Sequence, residues 1–229
     1  IMKHEFLSDQ DKKDLLFGIK NQIDFVAASF VSCKQDMLDI RTFLDANTGK
    51  DIDIIAKIEN RSGVDNIDEI CEVADGIMIA RGDLGVEIPA MEVPSIQKYL
   101  IQKYRMLGKR VITATEMLES MIYNPRPTRA ELSDIANAVY DETSAVMLSG
   151  ETASGKYPVA AVKNMVETIT FTDKNIPYDK RFKTAEFAIN NNLDAVSHSA
   201  CAMATDLKAK FIIVNSLPGH TARMVSRFR

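Results

Sequence analysis

Ile54-Ile-Ala-Lys-Ile-Glu-Asn60 and Gly76-Ile-Met-Ile-Ala-Arg-Gly-Asp-Leu-Gly85 share one form. Each is a short apolar, β-branched run, too short for a helix, that ends in charged residues. Between them, Ser62 to Ala74 carries Val64, Ile67, Ile70, Cys71 and Ala74 at helical spacing. The pattern predicts a β-α-β unit. Its first strand delivers Lys57 and Glu59 to one end of a parallel sheet, and its second delivers Asp83 to the same end. In parallel α/β folds the carboxyl ends of the strands hold the chemistry.

The same plan repeats on either side. Upstream, Ser8 with Asp11 reads as a capping box for a helix with Leu15, Leu16, Ile19 and Ile23 on its apolar face. A strand over Asp24 to Val31 and a helix over Lys34 to Ala46 follow. Downstream, a helix from Pro94 to Leu107 stops at Gly108, and the next strand is Arg110 to Ala114. Thr128 with Glu131 opens a helix to about Tyr140, then come a strand over Ser144 to Leu148 and a helix from Pro158. These are five strand-then-helix units, against the eight, over typically about 250 residues, that close a (β/α)8 TIM barrel. Either the sheet is open and doubly wound, or three units lie outside the chain. No Gly-x-Gly-x-x-Gly follows any strand, which favours the second reading. The expected organisation is a partial barrel over 1–171, a polar linker over 172–183, and the start of a second α/β domain over 184–229. That domain is expected to hold a helix over Thr184 to Lys208, one strand over Phe211 to Asn215, and a final helix.

Composition narrows the function. The 229 residues are 46% apolar with a net charge of −4, ordinary for a globular α/β protein and without a basic, aromatic-interleaved nucleic-acid footprint. No run of eighteen apolar residues suggests a membrane span. Three widely spaced cysteines, Cys33, Cys71 and Cys201, fit a reducing, cytoplasmic setting better than a disulfide frame or zinc site. A chain that starts at Ile1, with neither an initiating methionine nor a signal peptide, is expected to be a piece of a longer protein.

Glu59 and Asp83 are hard oxygen ligands at neighbouring strand ends, suited to Mg²⁺ or Mn²⁺ completed by water and substrate oxygens. Lys57 stands two residues before Glu59, so both side chains leave the strand on one side, and its compact charge suits a phosphoryl group in transfer. Arg81-Gly82-Asp83 reads as a turn into a short helix whose backbone N–H groups favour an anion. Thr115 ends the next strand with a hydroxyl able to donate or relay a proton. Each has a plainer reading: a rim ion pair for Lys57 and Glu59, a cap for Asp83, a β-branched strand residue for Thr115. Arg126, Arg129, His198 and His220 read as surface or packing residues, and the eleven methionines as core filler. From spacing alone, the chain is a divalent-metal α/β enzyme acting on an anionic substrate.

Six segments carry a closer likeness: Lys57-Ile-Glu-Asn60, Asp75 through Pro89, Ile112-Thr-Ala-Thr115, Met117 through Met121, Asn124 through Glu131, and Met147 through Ala153. In order and spacing, from Leu7 to Arg229, they resemble the pyruvate kinases. The resemblance implies transfer of a phosphoryl group from phosphoenolpyruvate to ADP, giving pyruvate and ATP in glycolysis. Lys57 would stabilise the moving group, and Glu59 and Asp83 would hold the metal. The backbone around Ala80, Gly82 and Asp83 would receive the substrate carboxylate, and Thr115 would help protonate the enolate. It also implies a cytoplasmic homotetramer, with Arg126 and Arg129 near a subunit contact, and an effector loop over Ser216, Gly219, His220 and Thr221. The K⁺ site and the nucleotide contacts would come from units outside this chain, so the piece alone is expected to be inactive.

Three departures stand out: Glu116 for the family's usual glutamine, Asp141-Glu-Thr-Ser144 before the last strand, and Leu217-Pro218 in the effector loop. A citrate-lyase-type metal barrel acting on an enolate, which would not need Lys57, and a non-catalytic remnant are the alternatives.

Overall fold

The computed structural model describes residues 5–185, 187–217 and 219–228. Helix α1 (Asp9–Lys20) opens on the expected box: Ser8 Oγ accepts from Asp11 N at 3.1 Å, and Asp11 Oδ2 accepts from Ser8 N at 2.9 Å. Five strands follow, β1 (Phe25–Ala28), β2 (Asp53–Ile58), β3 (Gly76–Ala80), β4 (Arg110–Ala114) and β5 (Ala145–Met147). All pair in parallel in chain order, with Lys57 opposite Met78 and Ala80 opposite Ala114.

That order decides between the two readings. Right-handed crossovers between sequential parallel strands place every helix on the same face, whereas a doubly wound sheet reverses its order at a switch point. The sheet is therefore singly wound: five consecutive units of a (β/α)8 barrel. Between the strands run α2 (Lys34–Ala46), α3 (Arg61–Asp65), α4 (Ile67–Val73), α5 (Arg81–Glu87), α6 (Val93–Met106) and α7 (Arg129–Tyr140). Helices α8 (Gly150–Ala153) and α9 (Pro158–Lys174) follow β5.

Strand alternation sorts the side chains. Ile54, Ala56, Ile58, Ile77, Ile79 and Val111 pack under the helices with Met37, Leu44, Ile70, Leu100 and Tyr104 as the main core. Their neighbours Ile55, Met78 and Ala114 face the other way and form a smaller cluster with Ile112 and Met147. At the amino ends of the strands on this inner face, Arg110 pairs with Asp53 at 2.5 Å and lies 5.0 Å over the Phe25 ring. The carboxyl ends are left for function.

Four expectations are corrected. Ser62 to Ala74 is two helices, broken at Asn66, whose Nδ2 turns out of the helical path to donate to Ser32 O at 2.8 Å. The stretch 172–183, read as a linker, is mostly helical. Residues to Lys174 complete α9, and α10 (Tyr178–Thr184) is tied back by Arg181 Nη1 donating to Tyr140 O at 2.8 Å. Beyond Thr184, the last residue of α10, α11 (Asn192–Asp206) is the one helix among the described residues up to 208, starting where Asn191 Oδ1 accepts from Asp194 N at 2.9 Å. Residues 211–215 form no strand: among the described residues none of the five strands pairs with them, so no ladder forms, and Phe211 and Ile213 are exposed. The closing helix, α12 (His220–Ser226), is where the sequence places it. Pro218, and the ends at Ile1 and Arg229, lie outside the described residues.

Candidate active site

Strand alternation and register bring the carboxyl ends of β1 to β4 together. Lys57, on β2, ends 2.6 Å from Glu59 Oε1 and donates to Ser29 Oγ, just beyond β1, at 2.9 Å. Glu59 is fully buried, and its Oε2 accepts the Phe30 N–H at 2.6 Å. Phe30 sits at φ 55°, an uncommon conformation for a bulky residue, and its amide reaches Glu59 from there. Glu59 Oε1 receives no hydrogen bond and faces only the Lys57 ammonium. A buried carboxylate oxygen in that state is suited to a cation.

Helix α5 begins at the end of β3, with Ala80 as its buried N-cap and Asp83 exposed in its first turn. Among the described residues no three His, Cys, Asp or Glu side chains gather into a self-sufficient metal cage. The chain thus offers two carboxylates, Glu59 and Asp83, on adjacent strand ends. That donor set fits a hard divalent cation whose remaining ligands are water and substrate oxygens.

Thr115 closes the site from β4. Its Oγ1 accepts the Gly82 N–H at 2.8 Å and donates to Ala114 O at 2.6 Å. A Cβ at Gly82 would sit 3.4 Å from that hydroxyl, in ordinary contact, so the two loops already lie against each other here. Thr115 and Glu116 both lie in the left-handed region, at φ 66° and 54°. For residues other than glycine this costs about 1–2 kcal/mol each. Such outliers cluster at active sites and ligand clamps, where the surroundings enforce them.

Arg81 is the residue that sequence reasoning passed over. The sequence places it only in a turn into a short helix, whereas the structure buries it and has it donate to the Ala114 and Thr115 carbonyls. Its counter-charge is Asp134 on α7, at 2.6 Å. Glu151 is a second buried carboxylate, accepting Leu118 N at 2.9 Å and Ser149 N at 2.7 Å, and so it ties the loops after β4 and β5. Nearby, burial first and then the carboxylates of Glu151, Glu116 and Glu131 push the Glu119 carboxyl above its ordinary pKa.

The structure does not bring every candidate here. Arg126 and Arg129 are exposed at the start of α7 and form no ion pair among the described residues. Ser216, Gly219, His220 and Thr221 lie far along the chain around the start of α12, where Gly219 takes φ 70° and His220 is exposed.

A parallel barrel segment with carboxylates, a lysine and a helix start at its strand ends is an arrangement suited to a divalent cation beside a small anion. Residues 2–162 match the family described as pyruvate kinase, barrel domain, and residues 194–229 match pyruvate kinase, alpha/beta domain. The chain belongs to the pyruvate kinase family. It is 53% identical to the pyruvate kinase of Clostridium acetobutylicum, over 97% of this chain and 47% of that protein. Against that of Geobacillus stearothermophilus it is 53% identical, with 97% and 38% covered. Against pyruvate kinase 1 of Saccharomyces cerevisiae it is 51% identical, with 97% and 45% covered. The chain spans less than half the length of these relatives. The family match does not extend to the citrate-lyase alternative. No described helix is long and apolar enough to cross a membrane.

Proposed function

We propose that this chain supplies the lysine, the two metal-binding carboxylates and the proton-handling threonine of a cytoplasmic, homotetrameric glycolytic pyruvate kinase. Such an enzyme transfers a phosphoryl group from phosphoenolpyruvate to ADP. The observation that carries the reading is Lys57 held 2.6 Å from a fully buried Glu59, one strand from Asp83 and two from Thr115.

A Mg²⁺ or Mn²⁺ ion at Glu59 and Asp83 would polarise the substrate's oxygens and offset charge on the transferring group. Around it, the protein's part is positioning and electrostatics. Lys57 places a compact positive charge where the phosphoryl group passes. Ser29 accepts a hydrogen bond from that ammonium at 2.9 Å, and Glu59 Oε1 stands 2.6 Å from it, so both hold it in place. The amides at the start of α5, around Ala80, Gly82 and Asp83, receive the substrate carboxylate. Thr115 holds its hydroxyl beside them to pass a proton to the enolate. A K⁺ ion and most nucleotide contacts belong to segments outside this chain. Arg126 and Arg129 face solvent, as residues of a subunit contact would in an isolated chain. Ser216, Gly219, His220 and Thr221 belong to a loop that would take an effector phosphate.

The test is ADP phosphorylation by phosphoenolpyruvate with Mg²⁺ and K⁺, in the full-length protein that contains this chain and its Lys57→Met variant. The variant is expected to lose about 10²–10³-fold in kcat, as removal of a preorganised electrostatic group does, with KM for phosphoenolpyruvate nearly kept. A folded wild-type protein without activity would defeat the reading. Activity surviving Lys57→Met would defeat the role given to Lys57.

A further inference from the structure

Two consecutive non-glycine residues in the left-handed region need something to hold them there. At Thr115 and Glu116 that restraint comes from one side chain. Arg81, the first residue of α5, sends Nε to Ala114 O at 3.3 Å and Nη2 to Thr115 O at 2.6 Å. Its Nη1 is anchored by both oxygens of Asp134 on α7, at 2.7 and 2.6 Å, and approaches Gln97 Oε1 on α6 at 3.4 Å. The next residue, Gly82, donates its N–H to the Thr115 hydroxyl at 2.8 Å. The loop after β4 and the start of α5 are thus tied twice, guanidinium to carbonyls and amide to hydroxyl.

We propose that Arg81 is a positioning residue: it pins the Ala114 and Thr115 carbonyls and so aims the Thr115 hydroxyl at the amide that receives the substrate carboxylate. This rests on the phosphoenolpyruvate reading above. The Gly82 N–H already has a partner in Thr115, so an arriving carboxylate oxygen takes the place of a hydroxyl. With both carbonyls pinned, that exchange needs only a turn of the Thr115 side chain, and the hydroxyl stays beside the substrate for proton transfer. Lysine cannot substitute. Its ammonium is a point donor, whereas the planar fork of arginine meets two carbonyls and a carboxylate at once.

The test uses the full-length protein and a cycle of Arg81→Lys, Thr115→Ala and the double variant. Each is measured for kcat, for KM, and for exchange of the pyruvate methyl hydrogens with deuterated water. That exchange is enolate protonation run backwards. Arg81→Lys is expected to lower kcat and exchange together by about 10–100-fold while the melting temperature stays close to wild type. In the Thr115→Ala background the same change is expected to alter neither by more than about twofold, because residues acting as a unit are not additive. Effects that multiply independently, or an Arg81→Lys protein with wild-type rates, would overturn the proposal. If Arg81→Lys does not fold, Asp134→Asn, which removes the charge anchoring the guanidinium, takes its place in the same cycle and is judged by the same criterion. A wild-type protein unable to use phosphoenolpyruvate would overturn the underlying reading and this proposal together; independent effects in an active enzyme would overturn the proposal alone.

Discussion

Glu59 shows how one buried carboxylate can serve two masters. One oxygen is satisfied by the Phe30 amide, while the other faces Lys57 and is open to a cation. Glu59→Gln keeps the shape but halves that provision. Its affinity for Mn²⁺, followed by titration, is expected to fall by at least the about 10–100-fold that loss of an outer-shell partner costs. Glu151 is different in kind, because both its oxygens are occupied by backbone amides. Glu151→Ala leaves two buried N–H groups unpaired, and denaturant unfolding is expected to show a loss of about 2–4 kcal/mol. Spacing made Lys57, Glu59, Asp83 and Thr115 legible, since residues two apart on a strand share a side and strand ends carry the chemistry. Arg81, Asp134 and Glu151 were not legible. A charged residue is buried only when its partners are near, and those partners stand 53 residues away for Arg81 and 33 for Glu151.

At the scale of elements, local rules held where the signal was local. The box before α7 forms as written: Thr128 Oγ1 accepts from Glu131 N at 3.2 Å and Glu131 Oε2 accepts from Thr128 N at 2.7 Å. The same carboxylate also reaches Ser120, accepting from its N–H and its hydroxyl, each at 2.7 Å. Burial alone would raise the Glu131 pKa, but the Ser120 and Thr128 hydrogen bonds outweigh it and hold the carboxyl below its ordinary value of 4.5. A carboxyl with a depressed folded pKa adds stability that is complete above the unfolded value and disappears as pH falls through the folded one. Acidification below about pH 4.3 is therefore expected to erode stability, and Glu131→Gln to remove that share of the pH dependence in denaturation curves. Local rules failed at Asn66 and over 172–183. There, bonds from Asn66 to the Ser32 carbonyl and from Arg181 to the Tyr140 carbonyl decide the backbone, and neither partner is near in sequence.

Across the whole molecule, the C-terminal segment is fastened to the barrel by a few buried groups. Arg227 donates to Met106 O, at the end of α6, at 2.8 Å and pairs with Asp194 on α11 at 2.6 Å, both side chains buried. Phe182, Phe187, His198 and Phe228 pack beside it, with ring centres 4.9–5.5 Å apart. Gly108 faces Met224 across the same contact, where a Cβ would come within 2.8 Å of the sulfur. Arg227→Ala strands the Asp194 carboxylate, and in the full-length protein the unfolding free energy of this region is expected to drop by about 3 kcal/mol, read by denaturant titration. The five strand-then-helix units and the strand-end candidates followed from the sequence alone, because hydrophobic period, caps and turn residues are short-range signals. Two matters were settled only by tertiary structure. The sequential strand order removed the doubly wound alternative. The long-range contacts of Arg81, Phe30 and Glu151 set the strained loops that shape the site, because desolvated charges and left-handed residues depend on partners that meet only when the strands align.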